Sequence, residues 1–204
     1  MTLFSLNNVN FKDFINYKDI TIIQGGATFI CGESGAGKST LLKLLNGVIS
    51  PTAGEIHYLG KNIEDYDSIL LRREILLISQ SAYLFDMSIE DNFREFYAYR
   101  DLEPPSLEIM KSCLDICSLH LPLDTMCNVM SGGERQRAFI AIHLSFPSKV
   151  VMLDEPTSAL DEKNADFVIE NIKSYCKENE KTLIIVSHDK SISEKYADFV
   201  IDLK

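Results

Sequence analysis

No apolar run in this 204-residue chain reaches 18 residues, so no segment is expected to cross a bilayer as a helix. The opening stretch, MTLFSLNNVNFKDF, has no basic segment leading into a long apolar run, which argues against a secretory signal. Positive charge is scarce as well: 20 Lys and Arg stand against 30 Asp and Glu, a net charge of −10. A general nucleic-acid binder carries a basic face, so no nucleic-acid partner is expected. Cysteine is sparse and odd in number, with five residues at Cys31, Cys113, Cys117, Cys127 and Cys176. Cys113 and Cys117 lie four apart, which is not the spacing of a redox pair, and reduced thiols are expected. A metal site from Cys113, Cys117 and His120 would lack a second ligand pair. Internal repeats and low-complexity segments are absent.

What remains has an ordinary globular make-up, 46% apolar and 25% charged, long enough for one domain with a small appended subdomain. TLFSLNNV and YKDITII alternate apolar and polar residues and read as half-buried strands, with Tyr17 in the second. ATFIC, REILLISQ, KVVMLDE, TLIIVS and DFVIDL are near-continuously apolar, as strands buried on both faces are; REILLISQ reads as a central strand. Helical spacing follows Lys38, and it recurs in MSIEDNFREFYAYR, in SLEIMKSCLDICSLH, from Ser131 to Leu144 and from about Glu162 to Lys177. Strands alternating with helices indicate an α/β fold with a mostly parallel sheet covered by helices.

GESGAGKST matches G-x-x-x-x-G-K-[ST] at Gly32, Gly37, Lys38 and Ser39, with a strand before it and a helix after it. Its glycines let backbone amides turn inward on phosphates, Lys38 brings a positive charge to the β- and γ-phosphates, and the Ser39 hydroxyl can ligate Mg²⁺. The following helix aims its N-terminus at the same place. The chain's acidity does not exclude ATP here, because amides hold phosphate without net charge. VVMLDEP then sets Asp154 and Glu155 at the carboxyl end of an apolar strand, where ligands of open α/β sheets sit. Asp154 can hold Mg²⁺ through its water shell, and Glu155 is placed to polarise an attacking water. Two neighbouring carboxylates on a strand point to opposite faces, so they need not share one task.

MSGGERQR, from Met130 to Arg137, starts a second glycine-rich helix. Ser131 and Glu134 fit a capping box, which leaves the glycines unexplained. Each glycine inside a helix costs about 1 kcal/mol relative to alanine. Two at the first turn suggest that something approaches the backbone closely, and a bare helix start is an anion site.

MSGGERQR resembles the LSGGQ signature of the ATP-binding-cassette (ABC) ATPases. The rest of that family's motifs follow in order: the phosphate loop, Gln80 as a Q-loop glutamine ending a strand, the LDE strand, a D-loop SALD at Ser158–Asp161, and a switch histidine, His188, after TLIIVS. The resemblance covers essentially the whole chain. It implies a RecA-like P-loop NTPase fold with an N-terminal antiparallel β part, one domain over 1–204, and a helical subdomain at about 83–130. It implies ATP and Mg²⁺ as cofactors. Gly32, Glu33, Ser34, Gly35, Ala36, Gly37, Lys38, Ser39 and Thr40 would hold the phosphates, and Ser39, Gln80 and Asp154 the metal. Glu155, His188, Gln80 and Lys38 would be catalytic. Ser131, Gly132 and Gly133 would close over the ATP of a second copy, so that two copies share two sites, with Asp161 coupling them. Phe11 or Phe14 would stack on adenine; Asp13 stands where tyrosine is frequent in the family. A further departure is Ile142 at the place of an expected arginine.

Among ABC proteins, the short gap between phosphate loop and signature, free of heptads, excludes the coiled-coil DNA-repair type, and one cassette excludes the two-cassette translation factors. The resemblance is to ATPase subunits of transporters, most of all the stand-alone subunits of iron-export systems. It implies an integral-membrane permease as partner, a homodimer on ATP binding, and a cytoplasmic protein peripheral to the inner face of the cell membrane. Tyr83, Leu84, Phe85 and Met87, just after Gln80, would dock the permease. The alternative is an ABC module of the cell-division or complex-assembly type, in which ATP closure signals to a membrane partner. A small-molecule phosphotransferase would leave the signature and D-loop without a role.

Overall fold

The computed structural model describes residues 1–12 and 15–203, with the side chains of 162 and 163 left aside. The alternation read at the start of the chain builds β1 (Thr2–Phe11), whose Phe4, Leu6 and Val9 are buried. β1 pairs antiparallel with β2 (Ile15–Asn16), β3 (Ile20–Ile23) and β5 (Ala53–Tyr58), and β5 turns onto β6 (Lys61–Asn62). A second sheet is wholly parallel. Its order is β10 (Phe199–Leu203), β4 (Ala27–Gly32), β9 (Thr182–Val186), β8 (Val150–Asp154) and β7 (Ile75–Ile78). Every residue of β8 and β9 is buried, as their unbroken apolar character predicts. β7, expected in the centre, is instead an edge strand with β8 as its neighbour. An apolar run reports burial of both faces, which flanking helices can supply at an edge too.

Helix α1 (Lys38–Leu45) packs between the sheets. Leu41, Leu42, Leu44 and Leu45 join Phe4, Leu6, Ile22, Ile30, Met152 and Ile184 in one core. Each such side chain, fully buried, contributes about 1.5–3 kcal/mol. Helix α2 (Ser68–Glu74), which sequence periodicity did not reveal, leads into β7; Asp67 caps it by accepting from the amides of Ile69 and Leu70. Seven residues are too few to display a helical period.

The described chain divides into two compact units. The first, Met1–Ile78, Pro147–Glu155 and Cys176–Lys204, holds both sheets, α1, α2 and α7 (Lys190–Tyr196). The second is Ser79–Phe146 and Pro156–Tyr175. It holds α3 (Ile89–Ala98), α4 (Leu107–Ile116) and α5 (Gly132–Leu144), and the expected insert lies inside it. α6 (Glu162–Glu178) runs from the second unit into the first. Among the described residues, no helix is long and apolar enough to cross a membrane.

In the second unit, His143 on α5 is boxed by aromatic rings, with centroids at 4.1 Å for Phe139, 5.1 Å for Phe96 and 5.6 Å for Phe146. Its Nδ1 lies 2.7 Å from the Phe139 carbonyl oxygen. Burial pushes its pKa down to about 4; the nearby Arg100 guanidinium lowers it further, and the Phe139 carbonyl opposes the shift. Between about pH 6.5 and pH 4 the unfolded chain therefore binds a proton at this position that the folded chain does not, and stability falls as pH falls through that window. His143→Leu should remove this dependence. Between pH 7 and pH 5 the unchanged chain is expected to lose about 2 kcal/mol more than the variant. Denaturant midpoints of the two proteins at both pH values check it.

Candidate functional site

β4 runs straight into the phosphate loop, and Gly32, Gly35 and Gly37 all have positive φ. Lys38 opens α1 at 6% exposure, its ammonium folded back over the loop to donate to the carbonyl oxygens of Gly32 and Glu33, each at 2.9 Å. Glu33, Ser34 and Gly35 are exposed, while Ala36, Ser39 and Thr40 are half-buried. The N-cap of α1 is Gly37, with no side-chain cap, so the first-turn amides receive no capping oxygen. Such amides and the helix dipole favour an anion.

The Ser39 hydroxyl donates to Asp154 Oδ1 at 2.9 Å, across 115 positions of sequence. Burial pushes the Asp154 carboxyl up, the Ser39 hydrogen bond holds it down, and the neighbouring Glu155 carboxylate raises it again. A half-buried serine hydroxyl and a carboxylate side by side are the hard oxygen donors that Mg²⁺ takes. Glu155 corrects the sequence reading. It does not alternate with Asp154 along a strand, because β8 ends at Asp154 and Glu155 turns into the left-handed region at φ 49°. Its amide donates to the Val186 carbonyl oxygen at 3.0 Å. A non-glycine residue held there is strained, and such strain clusters at functional sites.

The turn brings Glu155 Oε2 to 3.7 Å from His188 Nδ1. His188 lies just past β9, its side chain 67% exposed, and the next residue fixes the chain direction. Asp189 caps α7, accepting from the amides of Ser191 and Ile192, and hydrogen bonding from the Ser191 hydroxyl holds its carboxyl low. A cleft of about 900 Å³ opens beside the loop, lined by Gly32, Glu33, Ser34, Ala36 and His188 among others. That is the size range of small-molecule sites.

Other expected residues stand elsewhere. Gln80 does not end a strand: β7 stops at Ile78, and Gln80 occupies an exposed bend two residues later, in the second unit. Phe11 closes β1, half-buried, with Lys12 Nζ 5.4 Å from its ring centroid. Phe14 and Asp13 lie outside the described residues. Among the described residues no three His, Cys, Asp or Glu side chains cluster as a metal site. Cys113 and Cys117 are buried, and His120 is exposed with its ring 3.3 Å from Asp115.

In the second unit the signature is built on a complete capping box. Ser131 Oγ accepts from the Glu134 amide at 3.3 Å, and Glu134 Oε2 accepts from the Ser131 amide at 2.8 Å and from its hydroxyl at 2.7 Å. The two glycines have different reasons to be there. A Cβ on Gly133 would stand 3.0 Å from the Ala159 carbonyl oxygen, so the chain's own SALD segment needs that space. A Cβ on Gly132 would meet nothing within 4 Å. The docking strip also divides. Leu84 is 3% exposed and belongs to the core, whereas Tyr83 is 61% exposed and stands edge-on to Phe85, which stacks with Tyr99.

Sequence reasoning missed two residues. Arg135 donates to the carbonyl oxygens of Cys127 and Leu84, tying α5 to two loops. Tyr17, read as a strand residue, lies in the irregular segment between β2 and β3, and its hydroxyl reaches the phosphate loop. No local pattern signals either, because in both cases the partner is a distant carbonyl.

The family model described as ABC transporter matches residues 15–158. The chain is 33% identical over 199 residues to the Escherichia coli protein named Probable iron export ATP-binding protein FetA, covering 98% of this chain and 84% of that one. It is 32% identical over 197 residues to the Petrobactin import ATP-binding protein YclP of Bacillus subtilis, covering 95% and 78%. The dimeric structure of MJ0796, a bacterial ABC transporter cassette, superposes with a TM-score of 0.84 at 26% identity, covering 99% and 94%. The same cassette in a post-hydrolysis state bound to ADP and Pi superposes at 0.83 and 25% identity, with the same coverage. Together with the phosphate loop, the acidic strand end and the signature helix, these likenesses show that the chain belongs to the ABC transporter family, as one of its ATP-binding subunits.

Proposed function

We propose that this chain binds Mg·ATP at residues 32–40, pairs with a second copy when ATP is bound, and hydrolyses it to drive an integral-membrane permease. The observation that carries the reading is the reach of Ser39 to Asp154, which joins the phosphate loop to the acidic strand end. Lys38 and the loop amides from Gly32 to Thr40 hold the β- and γ-phosphates. Ser39 and Asp154 would hold magnesium, which would supply positive charge to the phosphates. Glu155 orients a water and accepts its proton, and His188 steadies the γ-phosphate beside it. Phe11 is the adenine contact. Ser131, Gly132 and Gly133 close over the nucleotide of the other copy; the open space at Gly132 supports this role. Asp161 couples the two sites, and the two compact units act as one nucleotide-binding domain.

Support for pairing and hydrolysis comes from MJ0796, solved as a dimer and with ADP and Pi. Tyr83 and Tyr99, both exposed, stand on either side of the half-buried Phe85 in an aromatic strip that meets the permease, and the subunit works from the cytoplasmic face of the membrane. The relatives at 33% and 32% identity are named for iron export and petrobactin import, and transport is favoured over a signalling or assembly module. They differ in direction and cargo, which the membrane subunit sets.

Lys38→Ala is expected to abolish ATP binding and hydrolysis; normal turnover in a preparation free of contaminating ATPase would refute the assignment of the loop. Glu155→Gln should bind Mg·ATP, hydrolyse it about 10²–10⁴ times more slowly, and accumulate as a dimer. Adding Ser131→Arg should prevent that dimer while leaving the monomer's ATP affinity nearly unchanged. Gel filtration with and without Mg·ATP decides. A double variant that dimerises as the single one does would leave the signature as a helix cap only.

A further inference from the structure

Tyr17 has no part in the mechanism above, yet it is 5% exposed and its hydroxyl donates to the Gly37 carbonyl oxygen at 2.7 Å. Burial pushes the phenol's pKa well up, so the group is a donor at any working pH. Its backbone is anchored too: the Tyr17 amide donates to the Val9 carbonyl oxygen at 2.9 Å, at the far end of β1.

Gly37 is the last glycine of the phosphate loop and the N-cap of α1, with φ 88° and ψ 14°. Its carbonyl oxygen accepts twice, from Tyr17 and from the Leu41 amide at 2.8 Å, which uses both lone pairs. The peptide unit between Gly37 and Lys38 is planar, with its C=O and N–H antiparallel. Holding the oxygen toward Leu41 and Tyr17 therefore turns the Lys38 N–H out of the helix N-terminus. A Cβ on Gly37 would stand 2.8 Å from Tyr17 Oη and 3.1 Å from Ile15 Cγ2, so two side chains of the β2 segment press on this one position. Ile15 also pairs in register with Phe11. The chain thus reaches the phosphate loop through Ile15 of β2 and through Tyr17 just past it.

We propose that Tyr17 is a positioning residue for nucleotide binding: its hydroxyl sets the Gly37–Lys38 peptide plane and so aims the first amides of α1 at the phosphates. It touches no phosphate itself. Without it, the loop's last peptide is free to rotate, and part of the ordering is left for the nucleotide to impose. The inference rests on the ATP-binding reading above.

The test is Tyr17→Phe, which keeps the ring and removes only the hydroxyl. ATP and ADP affinities are measured by calorimetry, turnover by phosphate release, and amide hydrogen exchange on the nucleotide-free chain. Losing one such hydrogen bond should weaken both nucleotides by about 5–20-fold. KM for ATP should rise by a similar factor with kcat within about twofold, since the bond acts on ground-state binding. Exchange at Leu41, whose amide donates to the same Gly37 carbonyl oxygen, should accelerate, with β9 unchanged. Affinities within about twofold of the parent, or exchange that accelerates equally in β9, would overturn the proposal. A Phe variant that fails to fold would also overturn it, because the hydroxyl would then serve the whole fold. If the unchanged chain itself binds no ATP, the nucleotide reading fails, while the exchange measurement still judges whether Tyr17 orders the loop.

Discussion

The site depends on β4, β9 and β8 lying side by side and parallel. Val186 stands opposite Ile30 on one side and Asp154 on the other. Parallel neighbours end on the same edge, so the three segments that follow them emerge together: the phosphate loop after β4, Glu155 after β8 and His188 after β9. The contacts of Ser39 with Asp154 and of Glu155 with His188 follow from this ordering. An antiparallel partner at either position would send one of these segments to the opposite edge.

Within that frame, an acidic chain can offer a polyphosphate hydrogen-bond donors without a cluster of cations. Lys38 is tied to two loop carbonyls, and the amides of the uncapped α1 start are further donors open to an anion. Their directions are held by the backbone and by the residues behind it. The Glu155 turn obeys the same logic. Its left-handed φ is kept in place by the bond from its amide to Val186, so the side chain leaves the strand direction and meets His188.

The signature helix shows how one motif can satisfy two demands. Ser131 and Glu134 complete a capping box that any helix could use, and the resulting hydrogen bonds hold the Glu134 carboxyl low. Gly133 leaves room for the chain's own Ala159 carbonyl, while Gly132 faces open space. Only Gly132 is without an internal reason, which narrows the part of the motif that an external partner explains.

The features legible in the sequence are those whose cause is local. The phosphate loop, the capping box and the apolar strands each consist of residues a few positions apart, so their chemistry and conformation follow from residue type and spacing. The order of motifs along the chain identified the family for the same reason. Tertiary structure decided whatever depends on a distant partner. It set β7 at the edge of its sheet, turned Glu155 out of the strand, buried Leu84 while leaving Tyr83 exposed, and ended the strand before Gln80. It also gave Tyr17 its partner: alternation marks a residue as buried, but a buried hydroxyl finds whichever carbonyl the packed chain brings within reach, and here that carbonyl belongs to Gly37.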